Sequence, residues 1–506
     1  MKIPDLTNLI ISDVVNISRE ESVAIELNEF ENGNSAINLM KNAGKQIANE
    51  LLKSNYASYL FLIGGGNNGG DGIVAAGIIS ENSLVNVFVL KEIKASAAET
   101  VFKELETSEL SILLEAEITS KNLKEACETA DVIVDAIFGV GLKSKIRDPI
   151  SSYLQILADY NQKIVSIDLP SGFDCNTGEW YGPKIIPSSV ITMHATKMGF
   201  SKLDPNTEVI VVDIGIAKES SYFVGPGHIK SFWKKRHNDS HKGNNGRIMI
   251  VGGSDGFTGA PVLSGMACLR AGVDTLRIAV PSVIRDIVAS YAEDFIILKV
   301  DGDKITSKGF KRYRDLAIKR HDVMAIGMGI SNHPEVTKFV REIIPIVKDR
   351  LTVLLDADAI RAFHNNLEIL QGSDVIITPH RAELRTMLDE AIPDEFDELV
   401  GFLEVKAAQM QITILLKGPI DIITNGHRTL LNKTGHPGMT VGGTGDVLAG
   451  LVAAVNCFVD DKLFATAIAA YVMGKAGELA AKKYGNGLLA SDVVKEIPKV
   501  LLEFDL

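Results

Sequence analysis

Cysteine is scarce in this 506-residue chain: Cys127, Cys175, Cys268 and Cys457 lie far apart, with no CxxC spacing. That excludes a disulfide framework or a zinc site of clustered thiolates and leaves a reducing compartment as the default. Basic charge is also short. Lys and Arg total 52 against 64 Asp and Glu, a net charge of -12, which speaks against a broad cationic footprint for nucleic acid or an anionic membrane. No apolar run approaches the roughly 18 residues of a membrane span. The opening MKIPDLTNLIISD carries acid early and lacks the sustained apolar stretch of a signal peptide. The expectation is a cytoplasmic protein with neither nucleic acid nor membrane as partner.

What is present is ordinary globular composition, 46% hydrophobic and 23% charged. At roughly 150 residues per domain the length suits two large domains. The first half alternates β-branched runs with helical spacing, the pattern of parallel βαβ units. Strands are expected over 59–64, 86–90, 132–138, 164–169, 190–194 and 209–214, and helices over 71–80, 95–106, 122–129 and 150–159. After Ile216 a polar, turn-rich stretch with Gly225-Pro226-Gly227 reads as a linker. A second α/β series follows, with strands over 248–252, 276–280, 323–326, 353–356, 375–378 and 412–416 and helices over 445–457 and 464–482. The expected division is a domain over 1–218, a linker over 219–236 and a domain over 237–506.

Three polar clusters of the first half follow strands. YLFLIG runs into GGNNGGDG, whose glycines let backbone amides and a helix N-terminus face an anion, while Asn67, Asn68 and Asp71 suit a cation or a ribose hydroxyl. DVIVDAIFGVGLKSK puts Asp135 inside an apolar strand, and VSIDLPSGFD ends a strand with Asp168 and Ser171. In a parallel sheet such strand ends converge on one crevice. A buried aspartate is costly without a cation or donors, and capping of nearby amides is the alternative role for both acids.

In this order the clusters resemble the NAD(P)HX epimerase family. The resemblance implies that Asn67, Asn68, Gly69, Gly70 and Asp71, together with Gly139, Val140, Gly141, Leu142, Lys143, Ser144 and Lys145, bind a hydrated nicotinamide nucleotide. It implies a potassium ion on Asn68, Asp135 and Ser171, and Asp168 as both substrate contact and acid or base at the reacting carbon.

In the second half, HPGMTVGGTGDVLAGLVAAV delivers Asp446 onto a helix N-terminus behind a Gly-Thr-Gly turn. Amides of Gly443 to Gly445 suit charge developing on a transferred phosphoryl group, and Asp446 suits proton acceptance from an attacking hydroxyl. Helix capping is the plainer role for that aspartate. LLKGPID sets Lys417 after a strand, VLLDADAI sets Asp356 and Asp358, and IITPHRAEL sets His380 and Glu383.

The order HKGNNG, IVGGSDGFTGAP, GMG, DADA, TPHRAE, LKG and GGTGD resembles the ADP- or ATP-dependent NAD(P)HX dehydratases of the ribokinase-like fold. The resemblance implies that Ala260, Gly329, His380 and Asp446 contact hydrated NAD(P)H, with Asp446 catalytic. Lys417, Gly418, Pro419, Ile420, Asp421 and Gly445 would contact ADP or ATP, which arrives with magnesium. The chain departs from the family's usual residues at Gly327-Met328-Gly329, where a proline is common, at Ala382 in place of glycine, and at Asp421 in place of threonine. The expected fold is an N-terminal Rossmann-like three-layer α/β domain fused to a C-terminal ribokinase-like α/β domain. The expected function is repair of NADHX and NADPHX by epimerisation and nucleotide-driven dehydration, in a homo-oligomer. A ribokinase-like kinase of a small vitamin alcohol, with an N-terminal nucleotide-binding module, stays open because the GTGD turn is shared.

Overall fold

β-Branched runs flanked by helices become parallel strands when both sheet faces are covered, and the computed structural model follows that rule in each of two units. It describes residues 14–105, 110–160, 163–372 and 375–506. The opening segment read for a signal peptide and the expected helix end at Glu106 lie outside the described residues. The chain divides after Ser221.

The first unit holds seven parallel strands: β1 Ser58–Ile63, β2 Leu84–Val89, β3 Ser111–Leu114, β4 Val132–Ala136, β5 Ile164–Ile167, β6 Ser189–Met193 and β7 Glu208–Val212. Their order is β3-β2-β1-β4-β5-β6-β7, all pairs parallel. The period-two alternation of β1 sends Tyr59, Phe61 and Ile63 into one apolar cluster and Leu60 and Leu62 into another, so both faces are buried. β1 and β4 are neighbours although two strands separate them in sequence, and this topological switch opens a crevice at their carboxyl ends.

The second unit holds β8 Arg247–Val251, β9 Thr275–Pro281, β10 Ile296–Val300, β11 Val323–Ile326, β12 Thr352–Leu355, β13 Val375–Ile377, β14 Thr413–Leu416, β15 Asp421–Thr424 and β16 Thr429–Asn432. The order is β10-β9-β8-β11-β12-β13-β14-β15-β16, parallel up to β14 and antiparallel through the last two pairs. Its switch lies between β8 and β11. Helices Thr444–Val455 and Lys462–Tyr484 supply much of the core. The second is long and apolar enough to cross a membrane, yet 83% of that window is buried inside the unit, as befits a core helix.

Three expectations change. The 219–236 stretch is no free linker: helix Pro226–Phe232 forms within it, and Ile229 and Trp233 are buried in the second unit's core. Trp233 stacks on Phe458 at 5.1 Å and Phe232 on Phe464 at 4.1 Å. The glycine loop after β1 is shorter than expected, because helix Asn67–Ile79 begins at Asn67 rather than near Asp71. Glycines serve close packing there: a Cβ on Gly69 would stand 2.1 Å from Gly64 O and one on Gly72 2.6 Å from Ala136 Cβ. Helices Arg19–Glu31 and Ala36–Leu52 and strands β3, β10, β15 and β16 were not anticipated.

Two candidate active sites

In the first unit the crevice between the carboxyl ends of β1 and β4 receives the N-terminus of helix Asn67–Ile79, which no side chain caps. Asp135, in β4, is fully buried. Its Oδ1 accepts from Ser171 Oγ at 2.5 Å and Ile137 N at 3.3 Å, and its Oδ2 from Ser171 N at 2.8 Å and Ser166 Oγ at 2.9 Å. Burial outweighs these donors and pushes the carboxyl pKa up. Ser171 Oγ also accepts from Phe138 N at 2.9 Å, which locks the loop after β4 onto the turn after β5.

Asp168 follows β5 with φ +64°, a left-handed conformation rare for a side chain other than glycine. Its Oδ2 accepts from Val140 N at 3.2 Å, its Oδ1 accepts from Thr192 Oγ1 at 3.2 Å, and Lys197 Nζ stands 3.4 Å away. Lys197 is itself 1% exposed and donates to Met193 O and Ala195 O, each at 3.0 Å, so its ammonium is fixed rather than free. A Cβ on Gly139 would lie 2.9 Å from Asp168 Oδ2 and 3.2 Å from Asn68 Cγ, so glycine brings the loop, Asp168 and Asn68 together. Both amide atoms of Asn68 are buried without a hydrogen-bond partner. A buried orphan amide in a polar crevice asks for a ligand.

The predicted set separates within this crevice. Asn68, Asp135, Gly139, Val140, Asp168 and Ser171 converge. Asn67, Gly141, Lys143, Ser144 and Lys145 lie exposed at the rim, with Leu142 half-buried between them. Gly69, Gly70 and Asp71 are buried, and burial, then the charges of Glu26 and Asp168, hold the Asp71 carboxyl well above the usual range. Sequence reasoning missed Lys197 and Thr192, and it missed Arg19. The Arg19 guanidinium donates to Val140 O at 2.6 Å, Leu142 O at 2.9 Å and Asp174 Oδ2 at 2.8 Å, clamping the loop after β4. A lone arginine in the N-terminal stretch gave no signal of this.

In the second unit the carboxyl ends of β8, β11, β12, β13 and β14 bring the other set together. Asp356 Oδ1 accepts from Lys417 Nζ at 3.0 Å and from Thr378 Oγ1 at 2.8 Å, and Glu383 Oε2 stands 3.9 Å from Lys417 Nζ. Burial works to strip the Lys417 ammonium, but Asp356 and Glu383 outweigh it and its pKa is raised. Helix Thr444–Val455 starts at Gly443, φ +94°, again without a side-chain cap. Thr444 Oγ1 donates to Met439 O at 2.8 Å and Val441 O at 3.0 Å and fixes the turn, leaving the first amides open. A Cβ on Gly445 would have one near neighbour, Lys417 Nζ at 3.6 Å, and one on Gly442 would meet nothing, so the space over this helix end is open. Burial, then the charge of Asp356, raises the Asp446 carboxyl to about 7 against the pull of Lys417.

Ala260 and Gly329 meet, since a Cβ on Gly329 would stand 3.1 Å from Ala260 Cβ and 2.7 Å from Phe257 Cβ. Phe257 is 60% exposed beside them, an aromatic face that sequence reasoning passed over. His380 Nδ1 accepts from Ala382 N at 3.1 Å and Glu383 N at 3.3 Å, so its ring caps the following helix and Ala382 suits that turn. Gly418 and Pro419 are exposed and Ile420 is buried. Asp421 faces its own turn rather than the open space: Gly418 N donates to its Oδ1 and Asn432 Nδ2 to its Oδ2, each at 3.0 Å, and burial lifts its pKa to about 6.

A family profile described as NAD(P)H-hydrate dehydratase matches residues 248–499, and one described as YjeF-related protein N-terminus matches residues 36–199. The chain is 36% identical over 475 residues to the bifunctional NAD(P)H-hydrate repair enzyme Nnr of Archaeoglobus fulgidus, spanning 93% of this chain and 95% of that protein. The chain belongs to the family of bifunctional NAD(P)H-hydrate repair enzymes. Another member, from Pyrobaculum aerophilum, is 34% identical across 92% of this chain and 94% of its own. A ribokinase-like superfamily protein of Enterococcus faecalis superposes with a TM-score of 0.50 at 21% identity, covering 56% of this chain and 96% of that one. The family's two profiles fall one on each unit, and the crevices described above lie within them.

Proposed function

We infer that the chain repairs hydrated nicotinamide nucleotides at both crevices. The first unit interconverts the R and S epimers of NADHX and NADPHX. The second dehydrates the S epimer to NADH or NADPH at the expense of ADP or ATP. The observation that carries this reading is that one chain, aligned end to end with bifunctional relatives, holds two switch-point crevices, each pairing an uncapped helix N-terminus with a buried carboxylate.

At the first crevice Asp168 is the acid or base at the hydrated ring carbon. Val140 N, Thr192 Oγ1 and Lys197 hold its carboxylate, so its direction is set before substrate arrives. The loop Gly139–Lys145 and the helix start from Asn67 to Asp71 bind the nucleotide, through the amides of the first turn that the helix itself leaves unused. A potassium ion fits this site on two counts: Asn68 Oδ1 is a buried oxygen without a donor, and Asp135 is a buried carboxylate whose contacts are all neutral donors. Asn68, Asp135 and Ser171 would hold it. Direct ligation by Asp135 requires a seryl hydroxyl to turn, because its four acceptor positions are filled. The ion would supply charge to neutralise the buried carboxylate and orient the phosphate.

At the second crevice Asp446 takes the proton of the C6 hydroxyl as that oxygen attacks the terminal phosphate, whose bond to the rest of the nucleotide breaks and releases the shortened nucleotide. Lys417 and the amides at Gly443 to Gly445 stabilise the charge that develops. The phosphate then leaves C6 as the neighbouring ring carbon C5 gives up a proton, which restores the ring double bond. Ala260, Gly329 and His380 line the hydrated nicotinamide, and Lys417, Gly418 and Pro419 line the nucleotide, with Asp421 bracing their turn. Among the described residues no group of three or more His, Cys, Asp or Glu side chains could hold a metal. Magnesium would therefore enter with the nucleotide, held through phosphates and water, and screen their charge. Four cysteines without a disulfide support a cytoplasmic setting, and the family resemblance supports a homo-oligomer.

The test mixes purified protein with both NADHX epimers and magnesium, adds ADP, ATP or neither, and follows reduced-nicotinamide absorbance and inorganic phosphate. Full recovery of both epimers with phosphate release establishes both activities and names the donor. Recovery of one epimer overturns the first-unit assignment, and a stable phosphoester in place of phosphate would make the second unit a kinase.

A further inference from the structure

The end of the second unit where strands β8 and β9 begin, opposite the candidate active site, is strongly basic. A cavity of about 310 Å³ opens where β8 and β9 begin and helix Ser307–Arg320 ends, and Lys242, Arg247, Thr275, Arg277, Lys319 and Arg320 line it. β8 carries Arg247 at this end and Gly252 beyond the other, so roughly 15 Å of strand at about 3.3 Å per residue separates this cavity from the crevice. Of the five cations, only Arg247 has a carboxylate partner among the described residues: Asp322 accepts from its Nη2 at 2.6 Å and its Nε at 3.1 Å. Four positive charges face one cavity with no acid lining it, in a chain whose overall charge is -12.

Lys319 and Arg320 sit in the last turn of their helix, where cations favour the carbonyl end, and that accounts for two of the charges. It does not account for Arg277, half-buried on a central strand. Arg277 Nη1 stands 3.1 Å from His321 Nε2, while His321 Nδ1 lies 3.1 Å from Ala317 O and 3.2 Å from Leu316 O. Carbonyl oxygens only accept, so the ring proton is on Nδ1 and Nε2 accepts from Arg277. Burial keeps His321 neutral by lowering its pKa, and burial with the nearby charge of Arg320 lowers that of Arg277. A buried neutral imidazole thus holds a guanidinium pointed into a space already crowded with like charge, an arrangement that an anion relieves. A neighbouring cavity of about 540 Å³ shares Lys242, but there Arg236 is paired with Asp274 at 3.2 Å, so the excess of positive charge is centred on the first cavity.

We propose that this cavity is a binding site for the polyphosphate group of a small molecule, with Arg277 and Arg320 as its principal contacts and Lys242 and Lys319 at the rim. Planar guanidinium forks match phosphate oxygens two at a time, and the volume sits at the small end of ligand pockets, as suits a phosphate chain.

Isothermal titration of the full chain with sodium tripolyphosphate tests it, because the probe can also enter the candidate nucleotide crevice and the two events must be told apart. In Lys417→Ala the cavity event persists. In Arg277→Gln/Arg320→Gln it weakens about tenfold or more, and in both proteins the event attributed to the cavity fades as salt is added. Neither arginine belongs to the repair machinery, so the double variant keeps epimerisation and dehydration. If it loses them or its melting transition, Lys319→Gln/Arg320→Gln, both exposed at a helix end, replaces it with the same expected loss of binding. Binding that survives both double variants unchanged, or that disappears entirely in Lys417→Ala, overturns the proposal.

Discussion

Asp446→Asn should make the second unit more stable and nearly inactive, and the structure sets the size and pH dependence of both effects. The carboxyl stands in the first turn of helix Thr444–Val455 with its pKa raised from 3.8 to about 7, by burial and then by Asp356. The folded chain therefore holds a proton that the unfolded chain releases, and stability falls as pH rises from the unfolded value through the folded one. Roughly 1.4 kcal/mol per unit over about three units gives at most about 4 kcal/mol. Partial solvent contact brings this to about 1–2 kcal/mol. Asparagine does not ionise, so the variant should melt about 2–6 °C higher at pH 8.5, with a smaller gain at pH 5.5. Dehydration should fall about 10²- to 10⁴-fold, the usual loss for a removed general base, while epimerisation continues. In the parent, kcat/KM for dehydration should climb as pH passes through about 7 and Asp446 ionises. Differential scanning fluorimetry across pH, beside the nicotinamide absorbance assay, reads all three. A melting gain equal at the two pH values, or turnover within about tenfold of the parent, would refute the reasoning.

Asp168→Asn should cut epimerisation by about 10²-fold or more and leave dehydration of the S epimer intact, so that a mixed substrate is consumed only to its S fraction. Gly445→Ala should fold normally, since its Cβ meets only Lys417 Nζ at 3.6 Å, but the methyl occupies the open space over the helix end, and the nucleotide KM should rise about tenfold or more. Arg19→Ala should loosen the Gly139–Lys145 loop and raise the epimerase KM more than it lowers kcat, with partial rescue by Arg19→Lys. Asp174 supplies an acid limit: although burial acts the other way, Thr177, Tyr181 and Arg19 hold it down to about 2, so about 2 kcal/mol of first-unit stability, present above pH 4, should drain away as pH falls toward 2. Circular dichroism melts at graded pH check this, and an acid transition unmoved by Asp174→Asn would count against it.

Much of the fold was legible because parallel strands buried on both faces leave continuous apolar runs such as Tyr59–Ile63, and because glycine clusters mark where chain must pass close to chain. Strands β15 and β16 were hidden, since each is four residues long and gains its register from the partner beside it. β3 was hidden for a different reason: its residues are exposed or half-buried, and SILL carries no face pattern. In the candidate sites, the residues at strand ends could be found by position, whereas Arg19, Lys197 and Phe257 act through contacts far away in sequence. Gly69 and Gly70 carry a second requirement that the anion-loop reading did not contain: without side chains they let helix Asn67–Ile79 press against Gly64 O and Met40 Sδ.

The aromatic stacks that seat residues 222–236 decide where this polypeptide can be divided. A cut just before His237 would strip Trp233 from Phe458 and Phe232 from Phe464, opening apolar surface on the larger fragment and inviting it to aggregate. A cut after Ser221 leaves both stacks in place, so a protease or a protein engineer seeking two soluble halves is better served there than at the turn-rich stretch that looks so dispensable in the sequence.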